Sequence, residues 1–246
     1  MAAEKHSEKT KGKLYMLPSP IVEHQLGTIS QETIDAIKSL DYFVVERART
    51  SRRFIKEIGH PKQISDLHIF ELDKNNADHT TKELHDFLSV LKKGTSIGVL
   101  SEAGCPGIAD PGNLAVQYAH QNNIQVVPTT GPSSIMLSLM ASGLNGQNFT
   151  FHGYLPNKAN LLTKRLKQLE RDILSQRQTQ LFIEAPYRNG FVLDHIMKTI
   201  SPNVLLCIAC DISAPSQYIV TKPIKGWKGT DWKFLHKRPT VFLLGT

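Results

Sequence analysis

The sequence predicts an α/β protein built as two α/β domains with mainly parallel sheets. Short apolar runs alternate with helical periodicity along most of the chain, the rhythm of βαβ units. Glycine, proline and acidic residues gather just after the apolar runs, at the carboxyl ends of the predicted strands, where open α/β sheets bind ligands. The chain has 246 residues, 40% of them hydrophobic and 21% charged, enough for one large domain or two smaller ones.

Each element can be justified in order. Residues 1 to 12 are polar and lysine-rich and read as a loosely docked tail. From Lys13 the apolar runs "LYMLPSP", "DYFVVE", "LHIFEL" and "TSIGVLS" predict strands, separated by helices at 30 to 40, 49 to 58 and 79 to 92. "PGNLAVQYAHQ" predicts a helix with Pro111 near its first turn, and "NIQVVPTT" the next strand. "GPSSIMLSLMASG" has a serine-rich start and a terminal glycine, so both ends of a helix are marked. There follow "NFTFHGYL", a basic helix at 158 to 176, "TQLFIEAP", a helix at 188 to 199, "NVLLCIACD", and strands near "SQYIVTKP" and "RPTVFLLG". The expected organisation is a tail at 1–12, an N-terminal domain at 13–128 and a C-terminal domain at 129–246, with a cleft between the two.

Composition and motifs exclude several classes. No apolar run is long enough for a membrane helix, and the first thirteen residues carry charges where a signal peptide needs an apolar stretch, so a cytoplasmic protein without a membrane partner is expected. Three cysteines are too few for a disulfide scaffold, and Cys207 and Cys210 form a C-x-x-C inside a predicted strand, where positions three apart face opposite ways. They read as structural. No P-loop, no G-x-G-x-x-G and no G-x-S-x-G elbow occurs, and the ten histidines form no metal-ligand spacing, so no metal is expected. His68 and His152 read as satisfied strand residues. A formal charge of +7 favours a polyanionic partner such as nucleic acid.

The stretches "LYMLPSPI", "VERARTSRRFIKEIG", "VLSEAGCPGIADPGNLAV", "VVPTTGPSSIMLSLMASGL", "FTFHGYLPNK" and "FIEAPYR", in that order, resemble the tetrapyrrole methylase superfamily of S-adenosylmethionine (SAM) dependent class III methyltransferases. Within it they are most similar to the ribosomal RNA branch, which 2′-O-methylates a cytidine ribose in small-subunit rRNA. The resemblance runs from about Leu14 to Arg188. It implies SAM as cofactor, folded into the cleft between the domains, ribosomal RNA or the small subunit as partner, and a homodimer. Carried over by position, it implies a cofactor site of Pro18, Glu102, Gly104, Cys105, Pro106, Gly107 and Ile108, Ser133 and Ser134, Glu184, Ala185 and Pro186, and Pro239 and Thr240. The branch has Asp where Glu102 stands, Thr where Cys105 stands and Asp-Thr-Arg in place of Arg47-Ala48-Arg49; a C-terminal helical extension is missing, and the loop after the third strand reads "ELDKNN".

Glycine permits close backbone approach to such a cofactor. For methyl transfer to a ribose hydroxyl, a carboxylate and a cation at the acceptor would help it lose its proton, which points to Glu46 and Arg49. "ERARTSRR" places four arginines at a helix start, against the helix dipole, so a phosphate partner for Arg47, Arg49, Arg52 and Arg53 is expected. Lys164, Arg165 and Lys167 on the basic helix extend the same expectation. Two other readings stand beside it: a methyltransferase acting on a tetrapyrrole or other small molecule, and a non-enzymatic RNA-binding or SAM-sensing module.

Overall fold

The computed structural model describes residues 10–72, 77–109 and 112–246, with the side chains at 77–81 outside that set. Pro111, residues 1–9 of the expected tail and most of "ELDKNN" therefore lie outside the described residues. The chain divides into two compact units, Met1–Pro132 and Ser133–Thr246, four residues beyond the break expected at 128. Gly12, expected in the tail, is buried and donates its amide to the Leu91 carbonyl at 2.8 Å.

The first unit alternates strand and helix throughout: β1 (Leu14–Leu17), α1 (Gln31–Lys38), β2 (Tyr42–Val45), α2 (Ala48–Glu57), β3 (His68–Glu71), α3 (Ala77–Leu88), β4 (Ile97–Leu100), α4 (Asn113–Gln121) and β5 (Val126–Pro128). All its strand pairs are parallel, in the order β3-β2-β4-β1-β5. Period-2 alternation sends Leu14, Met16, Val44, Ile97 and Val99 against α3 and α4, and Leu17, Phe43, Val45 and Leu100 against α1 and α2. Helices thus cover both faces, as a parallel sheet requires. The chain leaves β1 toward one edge and β4 toward the other, so the topological switch point lies between these two central strands.

The second unit runs α5 (Ser134–Ser142), β6 (Phe149–Tyr154), α6 (Ala159–Gln176), β7 (Thr179–Ile183), α7 (Asn189–Thr199), β8 (Leu205–Cys210), β9 (Tyr218–Pro223) and β10 (Thr240–Gly245), with its sheet ordered β6-β7-β10-β8-β9. Among the described residues five of the eight strand pairings are parallel; the three antiparallel ones, β7 with β10, β10 with β8 and β8 with β9, all belong to this sheet. From β8 through β9 to β10 the described chain forms turns and short 3-10 segments and no α-helix, so the last strands return without the crossover that parallel pairing needs. Leu162, Leu166, Leu169 and Ile173 line the buried stripe of α6. Cys207 packs on the α5 side of the sheet and Cys210 on the α6–α7 side, as their spacing in a strand requires. Burial pushes both thiols above their usual range, which suits a structural role.

Candidate functional site

The loops leaving β1, β2 and β4 are tied together at the switch point. Ser19 and Gly104 form an isolated antiparallel bridge, each amide donating to the other's carbonyl at 2.9 and 3.0 Å. Ser19 Oγ also donates to the Ser101 carbonyl at 2.9 Å, and Ser101 Oγ to the Gly104 carbonyl at 2.7 Å. Both serines are buried. Gly104 and Gly107 each have φ of +79°, a conformation that L side chains rarely adopt, so the glycines are required by the backbone itself. Pro18 and Pro106 are buried beside them, whereas Glu102, Gly107 and Ile108 face solvent.

Gly131 answers to a different constraint. A Cβ there would lie 2.2 Å from Pro18 Cβ, so only glycine lets the chain entering α5 pass this close to the β1 loop. The next carbonyl, of Pro132, accepts from Cys105 Sγ at 3.4 Å. Cys105 thus keeps a donor where the branch it resembles has a threonine, although a thiol donates more weakly than a hydroxyl.

Glu46 ends β2 with its Oε2 accepting from the Glu102 amide at 2.9 Å, and Arg47 Nε lies 3.3 Å from Glu102 Oε2. The carboxylate expected at the acceptor therefore also anchors the glycine-rich loop. Arg47 caps α2 without a side-chain hydrogen bond to the helix, and no acidic residue occupies the first turn, so the dipole of α2 meets arginines alone. Arg49 and Arg52 are exposed; Arg53 pairs with Glu23 at 2.6 Å. Two of the four arginines expected on phosphate are thus engaged with carboxylates in this structure.

In the second unit Ser133 caps α5, its Oγ accepting from the Met136 amide at 3.4 Å, with Ser134 beside it at the helix start. Glu184, at the end of β7, is 5% exposed. Its Oε1 accepts from the Ala185 amide at 2.8 Å, while its Oε2 lies 3.4 Å from Arg188 Nε and has no hydrogen-bond partner. Arg188 Nε and Nη2 and Asn189 Oδ1 are likewise buried without hydrogen bonds. Pro186 opens a short 3-10 turn, Pro186–Arg188, that leads into α7. Asn189 Nδ2 reaches Thr240 Oγ1 at 3.3 Å as well as the carbonyls of Leu235 and Arg238 at 2.9 Å. Through Asn189 the motif after β7 and the start of β10 become neighbours, and Pro239 there accepts from the Asp211 amide at 2.9 Å.

On α6, Lys164 and Lys167 are exposed, but Arg165 is half-buried, its Nη2 2.8 Å from His152 Nδ1. His152 Nε2 sits 2.6 Å from Gln180 Oε1. Burial lowers the pKa of His152 below 6.5, opposed by the Gln180 bond and assisted by the Arg165 charge. His68 stacks on Tyr42 at the sheet edge, with ring centroids 4.3 Å apart. Among the described residues no three His, Cys, Asp or Glu side chains could hold a metal ion, and no helix is long and apolar enough to cross a membrane.

Ser19, Ser101, Gly131, Ser51 and Asn189 are the site residues that sequence reasoning left out. Gly131 opens "GPSSIMLSLMASG", and Asn189 follows "FIEAPYR" directly. Ser19 carries no pattern of its own, because its hydroxyl meets the carbonyl of Ser101, 82 positions away.

The fold is that of class III methyltransferases. The structure is similar to the methyltransferase CobJ, with a TM-score of 0.64 and 16% identity, covering 96% of this chain and 94% of that one. It is also similar to a uroporphyrin-III C-methyltransferase from Thermus thermophilus complexed with S-adenosyl homocysteine, with a TM-score of 0.56 and 13% identity, covering 95% of this chain and 97% of that one. At such identities the likeness shows the fold alone. No family profile matches the chain. The chain nonetheless belongs to the ribosomal RNA small subunit methyltransferase I family: it is 31% identical to the Buchnera aphidicola member over 209 residues, covering 85% of this chain and 68% of that protein. It is 33% identical to the Vibrio cholerae member, covering 71% of this chain and 56% of that protein. To the Escherichia coli member it is 26% identical, with 91% and 73% covered.

Proposed function

We propose that this protein is a SAM-dependent methyltransferase that 2′-O-methylates a cytidine ribose in small-subunit ribosomal RNA, working as a cytoplasmic homodimer. The observation that carries the cofactor assignment is the cluster of buried polar atoms without hydrogen bonds at the end of β7. Glu184 Oε2 and Arg188 Nε meet each other as an ion pair at 3.4 Å, which leaves the acceptor Asn189 Oδ1 and the donor Arg188 Nη2 unpartnered. Orphaned buried groups are rare and call for a partner. One donor and one acceptor side by side fit a ligand that offers both kinds of group, as SAM does. Gly104 and Gly107 fit the same reading, since their backbone can be approached closely. Pro18, Glu102, Cys105, Pro106, Ile108, Ser133, Ser134, Ala185, Pro186, Pro239 and Thr240 complete the proposed set.

When bound, SAM supplies a methyl group already activated by its sulfonium, so the chain's contribution is positioning and proton management. Glu46 is the proposed acceptor of the ribose hydroxyl proton, with Arg49 lowering the cost of the developing oxyanion. Arg47, Arg52 and Arg53 would hold the RNA backbone. Arg47 and Arg53 would exchange Glu102 and Glu23 for phosphate, whose two free oxygens a guanidinium fork can meet bidentately.

The test is transfer of labelled methyl from SAM to small ribosomal subunits lacking the modification, with the labelled position mapped. Arg49→Ala is expected to leave SAM affinity by calorimetry unchanged and to reduce transfer at least about tenfold. Absence of label from RNA, or label on a base, would overturn the ribose assignment.

A further inference from the structure

Between the loop after β1, helix α2 and the loop after β4 lies a pocket of about 200 Å³. Phe54 and Ile21 give it apolar walls. Its rim carries Glu23, paired with Arg53 at 2.6 Å, and Glu57, whose Oε1 is 3.0 Å from His24 Nδ1. Ser51 lines it from α2. This serine is 3% exposed, and its Oγ has no hydrogen-bond partner. Buried helical serines ordinarily turn their hydroxyls back onto the preceding turn, as Ser138 and Ser142 do on α5 at 2.8 Å. Ser51 does not, so its buried hydroxyl is left without a partner at the pocket wall.

We propose that this pocket receives the base of the target nucleotide, a single heterocycle with an exocyclic amine, held by the Ser51 hydroxyl and the Glu57 carboxylate. The proposal rests on the RNA methyltransferase reading above. Pockets for drug-sized ligands run to about 300–1,000 Å³, so this one takes one ring system and not a macrocycle. Its charge is equally selective. Glu23, Glu57 and Glu102 outnumber Arg53 in its lining, which disfavours phosphate inside the pocket, while Arg47, Arg49, Arg52 and, at the rim, Arg53 are exposed along the same helix. The backbone of the RNA is thereby sorted onto the arginines and the base into the acidic hollow. Cytosine presents an amine where uracil presents a carbonyl, and a carboxylate accepts from the first only. Removing a base from its stack is least costly in single-stranded RNA, which is where the acceptor nucleotide is expected.

The experiment titrates cytidine and uridine into the full chain by ligand-observed NMR, for the wild type, Ser51→Ala and Ser51→Val, beside methyl transfer to small ribosomal subunits. Cytidine is expected to bind about tenfold more tightly than uridine, with Ser51→Ala weakening it about fivefold and Ser51→Val blocking it. Because the hydroxyl has no partner to lose, Ser51→Ala is expected to melt no lower than the wild type, whereas a structural serine would melt lower. Equal binding of the two nucleosides, or cytidine affinity unchanged in both variants, would overturn the pocket assignment even if methyl reaches RNA. Ser51-dependent cytidine binding with no label on RNA would instead uphold the pocket and refute the methyltransferase reading.

Discussion

Gly131→Ala tests whether the glycine-rich loop and the β1 loop are held as one unit. The added Cβ would sit 2.2 Å from Pro18 Cβ and 2.7 Å from Pro18 Cγ, so the proline must retreat by about 1 Å or more to regain a normal carbon–carbon distance. Pro18 is buried and cannot rotate away, since its ring fixes the backbone. The retreat carries Ser19 with it and breaks the bridge whose two bonds now measure 2.9 and 3.0 Å. Overpacking costs about 1–3 kcal/mol, and two lost hydrogen bonds add about 1 kcal/mol each. A central figure of about 4 kcal/mol lowers Tm by about 8–16 °C in a chain of this length. Gly27→Ala is the control, because nothing lies within 4 Å of the Cβ it would add and its φ is not positive. Calorimetric melting of both variants decides the matter: a Gly131→Ala transition that coincides with that of Gly27→Ala would refute the claimed clash.

Reversing the charges of α6 with Lys164→Glu and Lys167→Glu is expected to weaken RNA binding and flatten its salt dependence by about two phosphate contacts, with SAM affinity unchanged. Arg165→Glu is expected to behave differently, lowering thermal stability as well, because Arg165 is half-buried against His152. An identical effect of all three on stability would remove that distinction. The lowered pKa of His152 has a definite sign in stability: the unfolded chain binds a proton near pH 6.5 that the folded chain refuses, so stability is full above that pH and falls as pH drops below it. Urea denaturation at pH 8 and pH 5.5 is expected to show this loss, with His152→Gln losing less.

Much of the architecture is legible in the sequence because it rests on local pattern. The runs that became β1, β2, β4, β7 and β10 are apolar, short and bounded by turn residues, and "GPSSIMLSLMASG" carries both of its caps, which the structure places at Ser133 and Gly143. The site is legible in part for the same reason: glycines 104 and 107 stand where φ is positive, and that demand is written in residue type. Strand direction is not local. Nothing in "NVLLCIACD" or "RPTVFLLG" states that β8 and β10 pair antiparallel, since pairing depends on where the chain re-enters the sheet. The same limit hides which arginines are engaged, because Glu23 and Glu102, the partners of Arg53 and Arg47, lie on loops brought in by other strands. It hides as well the close pass of Gly131 over Pro18 and the unpartnered atoms of Ser51 and Asn189. Residue type determines what backbone each position can adopt; only the packed chain decides which polar atom is met, and which is left for a ligand.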